Sequence, residues 1–338
     1  MPPVLLHHPA SLEHDPGPHP DQPARMVAIE RELAPRDWLG WERRESPEAS
    51  RSVLEAVHPP AYLDHLEGLS ARGGGMLDMD TIMSEGSWRA ALHVAGGAVA
   101  GVDLVLGGEE RVAASAHRPP GHHATRTRAM GFCLVNGVAV AAQHALDAHG
   151  LQRVLVLDWD VHHGNGTNDI FLDSERVLFA SIHQSPLYPG TGPASEVGEG
   201  GGTGYTVNLP VPPGSGDETW VSLLAHVVRP LAQAFAPQLV LVSAGYDAHA
   251  DDPLGSCRVS DGGFAGMAAH VRSLAEAAGA PVVVVLEGGY DLAALARSFA
   301  ATLEVLGAPS TPAPPEPPVH RLAAEARGRL ATYWTLPE

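Results

Sequence analysis

The chain has 338 residues and 44% hydrophobic content, enough for one large α/β domain with a sizeable core or for two smaller domains. Its formal charge of −18, from 39 acidic and 21 basic residues, makes it a poor candidate for a nucleic-acid binder, because phosphate backbones require clustered Lys and Arg. The same acidity suits cationic partners such as lysine-rich segments or polyamines, although it also simply aids solubility.

Two cysteines, Cys133 and Cys257, make no disulfide framework, so a reducing, cytoplasmic setting is expected. The opening MPPVLLHHPA lacks a basic n-region and a long apolar stretch, so no signal peptide is expected. No run approaches about 18 uninterrupted apolar residues, so no membrane span is expected.

In chain order, Val4–His7 reads as a short strand and 14–22 as a Pro/Gly loop. Pro23 opens a helix through Ala34, because its missing N–H costs nothing at a helix start. Ser46-Pro47 predicts a second helix, and Pro59-Pro60 a third that stops before Gly73. Residues 76–85 read as a loop and Ser87–Leu106 as a long, Ala/Gly-rich helix. A strand at 111–115 leads into the loop 116–136, and a helix at 137–149 precedes the apolar strand Val154–Leu157. A strand at 177–182 is followed by a long Gly-rich loop, a length that in a compact domain usually carries function. Further strands are expected at 206–209, 239–243 and 282–286. Asp217 is expected to cap a helix through Phe235, and helices are expected at 262–278 and 291–306. Residues 308–318 read as a Pro-rich linker and 319–338 as an amphipathic segment, which could dock on the domain or on a partner. Strands alternate with helices throughout, so the fold class is α/β with a parallel sheet covered on both faces.

The chemistry collects where strands end. Val154–Leu157 runs directly into Asp158, Asp160, His162 and His163. Side chains alternate along a strand, so Asp158, Asp160 and His162 share one face if the extension lasts that far. Carboxylate and imidazole are good Zn²⁺ ligands. Three other strands run into AHRPPGHH, AGYDAH and EGGYD. In open α/β sheets, sites form beyond the carboxyl ends of the strands, so four segments deliver His, Asp and Tyr to one edge.

The ordered set RPPGHHA (118–124), GFC (131–133), DWDVHHGNGT (158–167), SIH…YPGTG (181–192), SAGYDAHADDPLG (243–255) and EGGYDL (287–292) resembles the histone deacetylase superfamily. The likeness is to its class II-like bacterial branch, beside the acetylpolyamine amidohydrolases, and it covers the chain to about residue 307. It implies a single arginase-like domain (1–307) with an eight-stranded parallel sheet, hydrolysing an acylated amine with zinc.

Carried over by motif, the zinc ligands are Asp160, His162 and Asp247. His123, paired with Asn165, is the general base and then the general acid. His122, paired with Asp158, is an electrostatic element, since a carboxylate neighbour favours imidazolium. Tyr290 donates to the carbonyl oxygen and then to the developing oxyanion. Phe132 and Tyr188 line the substrate channel, and the Gly131 carbonyl accepts the substrate N–H. Asp80 or Thr81 holds the substrate at the rim. Leu254 stands where polyamine-specific relatives place an acidic residue, so its neutrality favours acyl-lysine. An inner potassium site is implied at Asp158, Asp160, His162, Ser181 and Ile182. An outer one is implied at Phe171, Ser174, Val177 and Tyr205.

The expected function is zinc-dependent deacylation of acetyl-lysine or a small acylated amine, with neither nucleic acid nor membrane as partner and oligomerisation left open. An acetylpolyamine amidohydrolase is the alternative enzyme. An inactive acyl-lysine binding module is the alternative of another class, and it would require a broken ligand set or a lost Tyr290.

Overall fold

The structure is a computed structural model that describes residues 2–310 and 313–337. Its strands are β1 (Val4–His7), β2 (Glu42–Glu45), β3 (Gly74–Met76), β4 (Ile82–Ser84), β5 (Val112–Ser115), β6 (Val154–Asp158), β7 (Val177–Gln184), β8 (Thr206–Val211), β9 (Leu239–Ala244) and β10 (Val282–Leu286). Eight of them form one sheet in the order β2-β1-β5-β10-β9-β6-β7-β8, and every pairing in it is parallel.

Parallel strands need crossovers, and the helices that provide them cover both faces. The central strands are therefore apolar up to their carboxyl ends, where Asp158 of β6 and Ser243 of β9 stand, and alternate residues feed two cores. Leu155 and Leu157 of β6 join one cluster with Val240, Val242, Val282 and Val284. Val154 and Val156 join the other with Leu239, Leu241, Val283 and Val285.

The helix Ser87–Leu106 is long and apolar enough, by length and composition, to cross a membrane. Here it lies in the core, with Ala91, Ala95, Ala98 and Val102 buried. Its small residues let it approach the sheet: a methyl group on Gly101 would meet Val283 Cγ1 at 2.9 Å.

Several local expectations change. Residues 76–85 are not all loop, because β3 and β4 pair antiparallel there. The helix expected from Ser46-Pro47 begins only at Arg51. β2, with sequence Glu-Arg-Arg-Glu, gives no apolar alternation because it is an exposed edge strand. Asp217 does not cap its helix. It is the first helical residue, and its carboxylate accepts from Ser260 N (2.8 Å) and Ser260 Oγ (2.6 Å). The helix from Asp217 is also interrupted by a wider turn at Leu224–Val228 before resuming as Arg229–Phe235. Pro230 explains the break, since it offers no N–H to the preceding turn.

Thr311 and Pro312 of the Pro-rich stretch lie outside the described residues. The rest of it is strapped down. His270 Nε2 donates to Pro315 O (2.8 Å), His226 Nε2 to Pro317 O (2.8 Å) and Ser222 Oγ to Pro318 O (3.0 Å). The helix Arg321–Leu330 then buries Ala323, Ala326 and Leu330 against the domain. Trp334 closes the contact with an indole N–H to Gly204 O at 2.8 Å.

Candidate active site

The four strands with chemical ends, β5, β10, β9 and β6, are consecutive neighbours in the sheet. Their carboxyl ends therefore deliver His122 and His123, Tyr290, Asp247, and Asp158 to His162 into one place. The extension expected to hold Asp158, Asp160 and His162 on one face stops at Asp158. Beyond it, side chains shape the backbone: Asp160 N donates to Asp158 Oδ1 (3.0 Å) and His162 N to Asp160 Oδ1 (2.9 Å).

Asp160, His162 and Asp247 offer ligand atoms that all lie within 4.8 Å of one another. His162 Nδ1 is 3.0 Å from Asp160 Oδ1 and 3.1 Å from Asp247 Oδ2. The remaining carboxylate oxygens are held by backbone donors, Gly288 N on Asp160 Oδ2 (2.9 Å) and Val161 N on Asp247 Oδ1 (2.8 Å). Gly245 and Gly288 make room for this: added methyl groups would meet Asp160 Oδ2 at 2.0 Å and Asp247 Oδ2 at 2.2 Å. Both carboxylates are fully buried. Burial and the neighbouring Asp160 push the Asp247 carboxyl up. Two buried carboxylates and one imidazole aimed at a common point suit a divalent cation, which relieves that repulsion.

The tandem histidines differ in their partners. His122 Nδ1 donates to Asp158 Oδ2 at 2.9 Å. Burial pulls its pKa down, but Asp160 and Asp158 more than reverse this and hold it well above the usual value. His123 Nδ1 donates to Asn165 Oδ1 at 2.8 Å. Burial and the positive charge of His122 push its pKa well below the usual value, so it stays neutral with Nε2 free. Burial raises the Tyr290 hydroxyl well above its usual pKa and keeps it a donor.

The aromatic pair expected at the channel flanks this centre. Tyr188 sets its ring 5.2 Å from His123 and 6.3 Å from His162. Phe132 sets its own 5.6 Å from Tyr290. Gly131 and Phe132 both have left-handed φ, 56° and 69°. A methyl group on Gly131 would strike His123 Cδ2 at 2.4 Å. Thr81 Oγ1 accepts from Phe132 N at 3.1 Å and donates to Asp80 Oδ1 at 3.1 Å, which brings both rim residues to this loop. Leu254 is half-buried, and its N–H donates to Asp252 Oδ1 at 3.0 Å. Cys133 and Cys257 are free and buried; burial raises the Cys133 thiol far from nucleophilic use.

The residues implied for the inner potassium site adjoin the centre: Asp158 and Ser181 are register partners on β6 and β7. Those implied for the outer site lie farther along the chain. Phe171 and Ser174 share the turn after the helix Asn165–Ile170, Val177 opens β7, and Tyr205 precedes β8.

Sequence reasoning missed the supports behind these groups. Glu287 Oε2 accepts from Gly121 N (2.6 Å) and His122 N (3.1 Å), tying β10 to the histidine loop. Asp252 Oδ2 accepts from Tyr290 N (2.6 Å) and Asp291 N (3.1 Å). Arg25 is fully buried; it donates to Gly289 O (2.7 Å), Glu287 O (2.5 Å) and Asp21 Oδ1 (2.8 Å), with its guanidinium 5.0 Å from the Tyr290 ring. Glu287 and Asp252 lay inside recognisable motifs. Arg25 and Asp21 gave no signal, since Arg25 is 264 residues from Gly289.

Comparison with known proteins agrees with this geometry. Residues 19–306 match the family model described as the histone deacetylase domain. The chain is 43% identical to the histone deacetylase-like amidohydrolase of Pseudomonas aeruginosa over 265 residues, 78% of this chain and 70% of that one. It is 39% identical to a probable deacetylase of Methanothermobacter thermautotrophicus over 337 residues, 98% and 99% of the two chains. The crystal structure of the HDA15 HD domain superposes with a TM-score of 0.90 at 35% identity, covering 98% of this chain and 96% of that one. The eight-stranded sheet, the convergence at its carboxyl edge and these likenesses have one reading: the chain belongs to the histone deacetylase family of deacetylases and amidohydrolases.

Proposed function

We propose that the chain is a zinc-dependent deacylase acting on acetyl-lysine or a related acylated amine. The observation that carries this is the convergence of Asp160, His162 and Asp247 beside a neutral His123 and a protonated Tyr290. A Zn²⁺ ion held by those three side chains supplies a Lewis acid toward the acyl oxygen and acidifies water.

The protein's own residues do the rest. His123, neutral and with Nδ1–H committed to Asn165, takes the proton of the attacking water on Nε2. Tyr290 donates its hydroxyl to the oxygen that gains negative charge as the carbonyl carbon becomes tetrahedral. His123 then returns the proton to the departing amine nitrogen, and the C–N bond breaks to leave carboxylate and free amine. His122, held positive, stabilises the negative charge of the surrounding carboxylates. Phe132 and Tyr188 bracket a methylene chain, and the Gly131 carbonyl accepts the substrate N–H.

On the family resemblance, we propose potassium at two further sites, with Asp158, Asp160, His162, Ser181 and Ile182 as the inner set and Phe171, Ser174, Val177 and Tyr205 as the outer. Residues 1–307 form the catalytic unit, and two unpaired buried thiols suit a cytoplasmic setting.

The test pairs a fluorogenic acetyl-lysine peptide with N-acetylputrescine and N-acetylspermidine, using zinc-loaded protein and Tyr290→Phe. All 21 basic residues other than histidine are arginines, so the enzyme has no lysine of its own to act on. Peptide turnover that falls by about 10²–10³ in Tyr290→Phe is expected from loss of one oxyanion donor. Preference for the free polyamines would transfer the assignment to that substrate class and remove the argument from the neutral Leu254.

A further inference from the structure

A second group of metal-ligand type lies outside the candidate active site. Asp103 Oδ1 is 2.7 Å from His144 Nε2 and 2.7 Å from His149 Nε2. The two imidazole rings stand 5.4 Å apart at 78°. Three elements contribute: Asp103 from the last turn of the helix Ser87–Leu106, His144 from the helix Gly137–Asp147, and His149 from the turn beyond it.

The juxtaposition is not a by-product of helical spacing. In a continuing helix, His149 would be rotated by about 140° from His144. The helix ends instead at Asp147, with Ala148 as its C-cap, and the chain bends at His149, which brings the second imidazole back beside the first. Both rings then present the same nitrogen to one carboxylate oxygen.

Fold topology sets this cluster apart from the catalytic edge. The two helices lead into β5 and β6, so their C-terminal ends lie at the amino edge of the sheet. The candidate active site lies at the carboxyl edge. The local electrostatics favour a cation. The last turn of Ser87–Leu106 has no basic side chain, and an aspartate there opposes the negative end of the helix dipole. The C-terminus of Gly137–Asp147 adds a second negative end at the same spot.

We propose that Asp103, His144 and His149 form a second divalent-metal site, for Zn²⁺ or a similar transition ion, that staples the C-terminal ends of the two helices together. Two imidazoles and one carboxylate are zinc donors, and they leave a fourth position for water. Zn–N and Zn–O bonds of about 2.0–2.2 Å in tetrahedral geometry separate ligand atoms by about 3.3 Å. Each imidazole has only to withdraw by roughly half an ångström, and side chains that are 14%, 27% and 52% exposed for His144, His149 and Asp103 have that freedom. The proposal is independent of the catalytic assignment.

The experiment counts zinc. Full-length protein is stripped with chelator, loaded with Zn²⁺, desalted and assayed for bound metal, beside His149→Ala and Asp103→Asn. The expected result is one equivalent fewer in each variant than in wild type, with peptide turnover unchanged. In wild type, the imidazole resonances of His144 and His149 are expected to shift on zinc addition. Equal zinc content in wild type and both variants, or no shift of those resonances, would overturn the proposal. A failure of the catalytic zinc assignment would read differently: wild type would hold one equivalent and the variants none.

Discussion

His123 Nδ1 lies 2.8 Å from the amide oxygen of Asn165, so the imidazole proposed as the base is oriented by a neutral partner. A carboxylate in that place would favour imidazolium, as Asp158 does at His122. Asn165→Asp is therefore expected to raise the His123 pKa by about 1–3 units. A general base works only when neutral, so the acid limb of the kcat/KM profile should move to higher pH. Turnover on the acid side should fall while the high-pH plateau is kept. A profile superimposable on wild type would show that His123 is not the titrating base.

Arg25 joins the segment before the first long helix to the loop that carries Tyr290. Arg25→Met would leave the Gly289 and Glu287 carbonyls without their donor and weaken the pairing of the buried Asp21. Breaking a buried ion pair from one side costs about 3–5 kcal/mol, and Arg118 Nε, 3.0 Å from Asp21 Oδ1, keeps the cost near the lower end. The urea midpoint should drop accordingly. kcat should fall more than KM changes, because the displaced group is Tyr290. Arg25→Lys should recover part of the stability through Asp21 but not the geometry of the loop.

His58 predicts acid sensitivity unrelated to catalysis. Its Nδ1 donates to Arg126 O (3.1 Å), and its Nε2 accepts from Asn136 N (3.0 Å), an arrangement only neutral imidazole can make. Burial brings its pKa down to about 4. Between pH 6.5 and 4 the unfolded chain binds the proton and the folded chain does not, so stability is complete above pH 6.5 and is lost as pH falls. At about 1.4 kcal/mol per unit, this one residue withdraws on the order of 3 kcal/mol by pH 4. His183, also pushed to about 4 by burial, acts in the same direction. Denaturant midpoints measured from pH 8 to 4.5 should decline below pH 6.5, and less steeply in His58→Gln. A flat curve would contradict the buried, neutral state.

Removing metal should cost stability as well as activity. Without a cation, Asp160 and Asp247 face each other across a buried centre with only His162 between them. Chelator-treated protein is expected to melt at lower temperature. Zinc at 100 times its dissociation constant should restore about 2.7 kcal/mol. An unchanged melting temperature after verified metal removal would mean that the three residues do not form the ion site.

The residues of the candidate centre were legible because catalysis demands particular side chains at particular strand ends, and such demands leave motifs. Asp158 to His162, His122, His123, Asp247 and Tyr290 all sit in runs that break an apolar strand with polar groups. The α/β alternation was equally plain, since a sheet buried on both faces must be apolar throughout. The exposed edge strand β2 was not, because an edge strand in solvent needs no apolar pattern. Nor were the contacts of Asp217 with Ser260 or the hairpin at 74–84, whose structure depends on partners supplied by other segments.

By itself the sequence determined the fold class and which strands run into His, Asp and Tyr, because these follow from local pattern, while the roles expected of those residues came from the family resemblance. The tertiary structure alone decided that β5, β10, β9 and β6 are adjacent, that Arg25 reaches Gly289, and that Asp103 meets two histidines at the far edge of the sheet. Strand order and long-range side-chain contacts are products of how the whole chain packs, and nothing in the neighbouring residues encodes them.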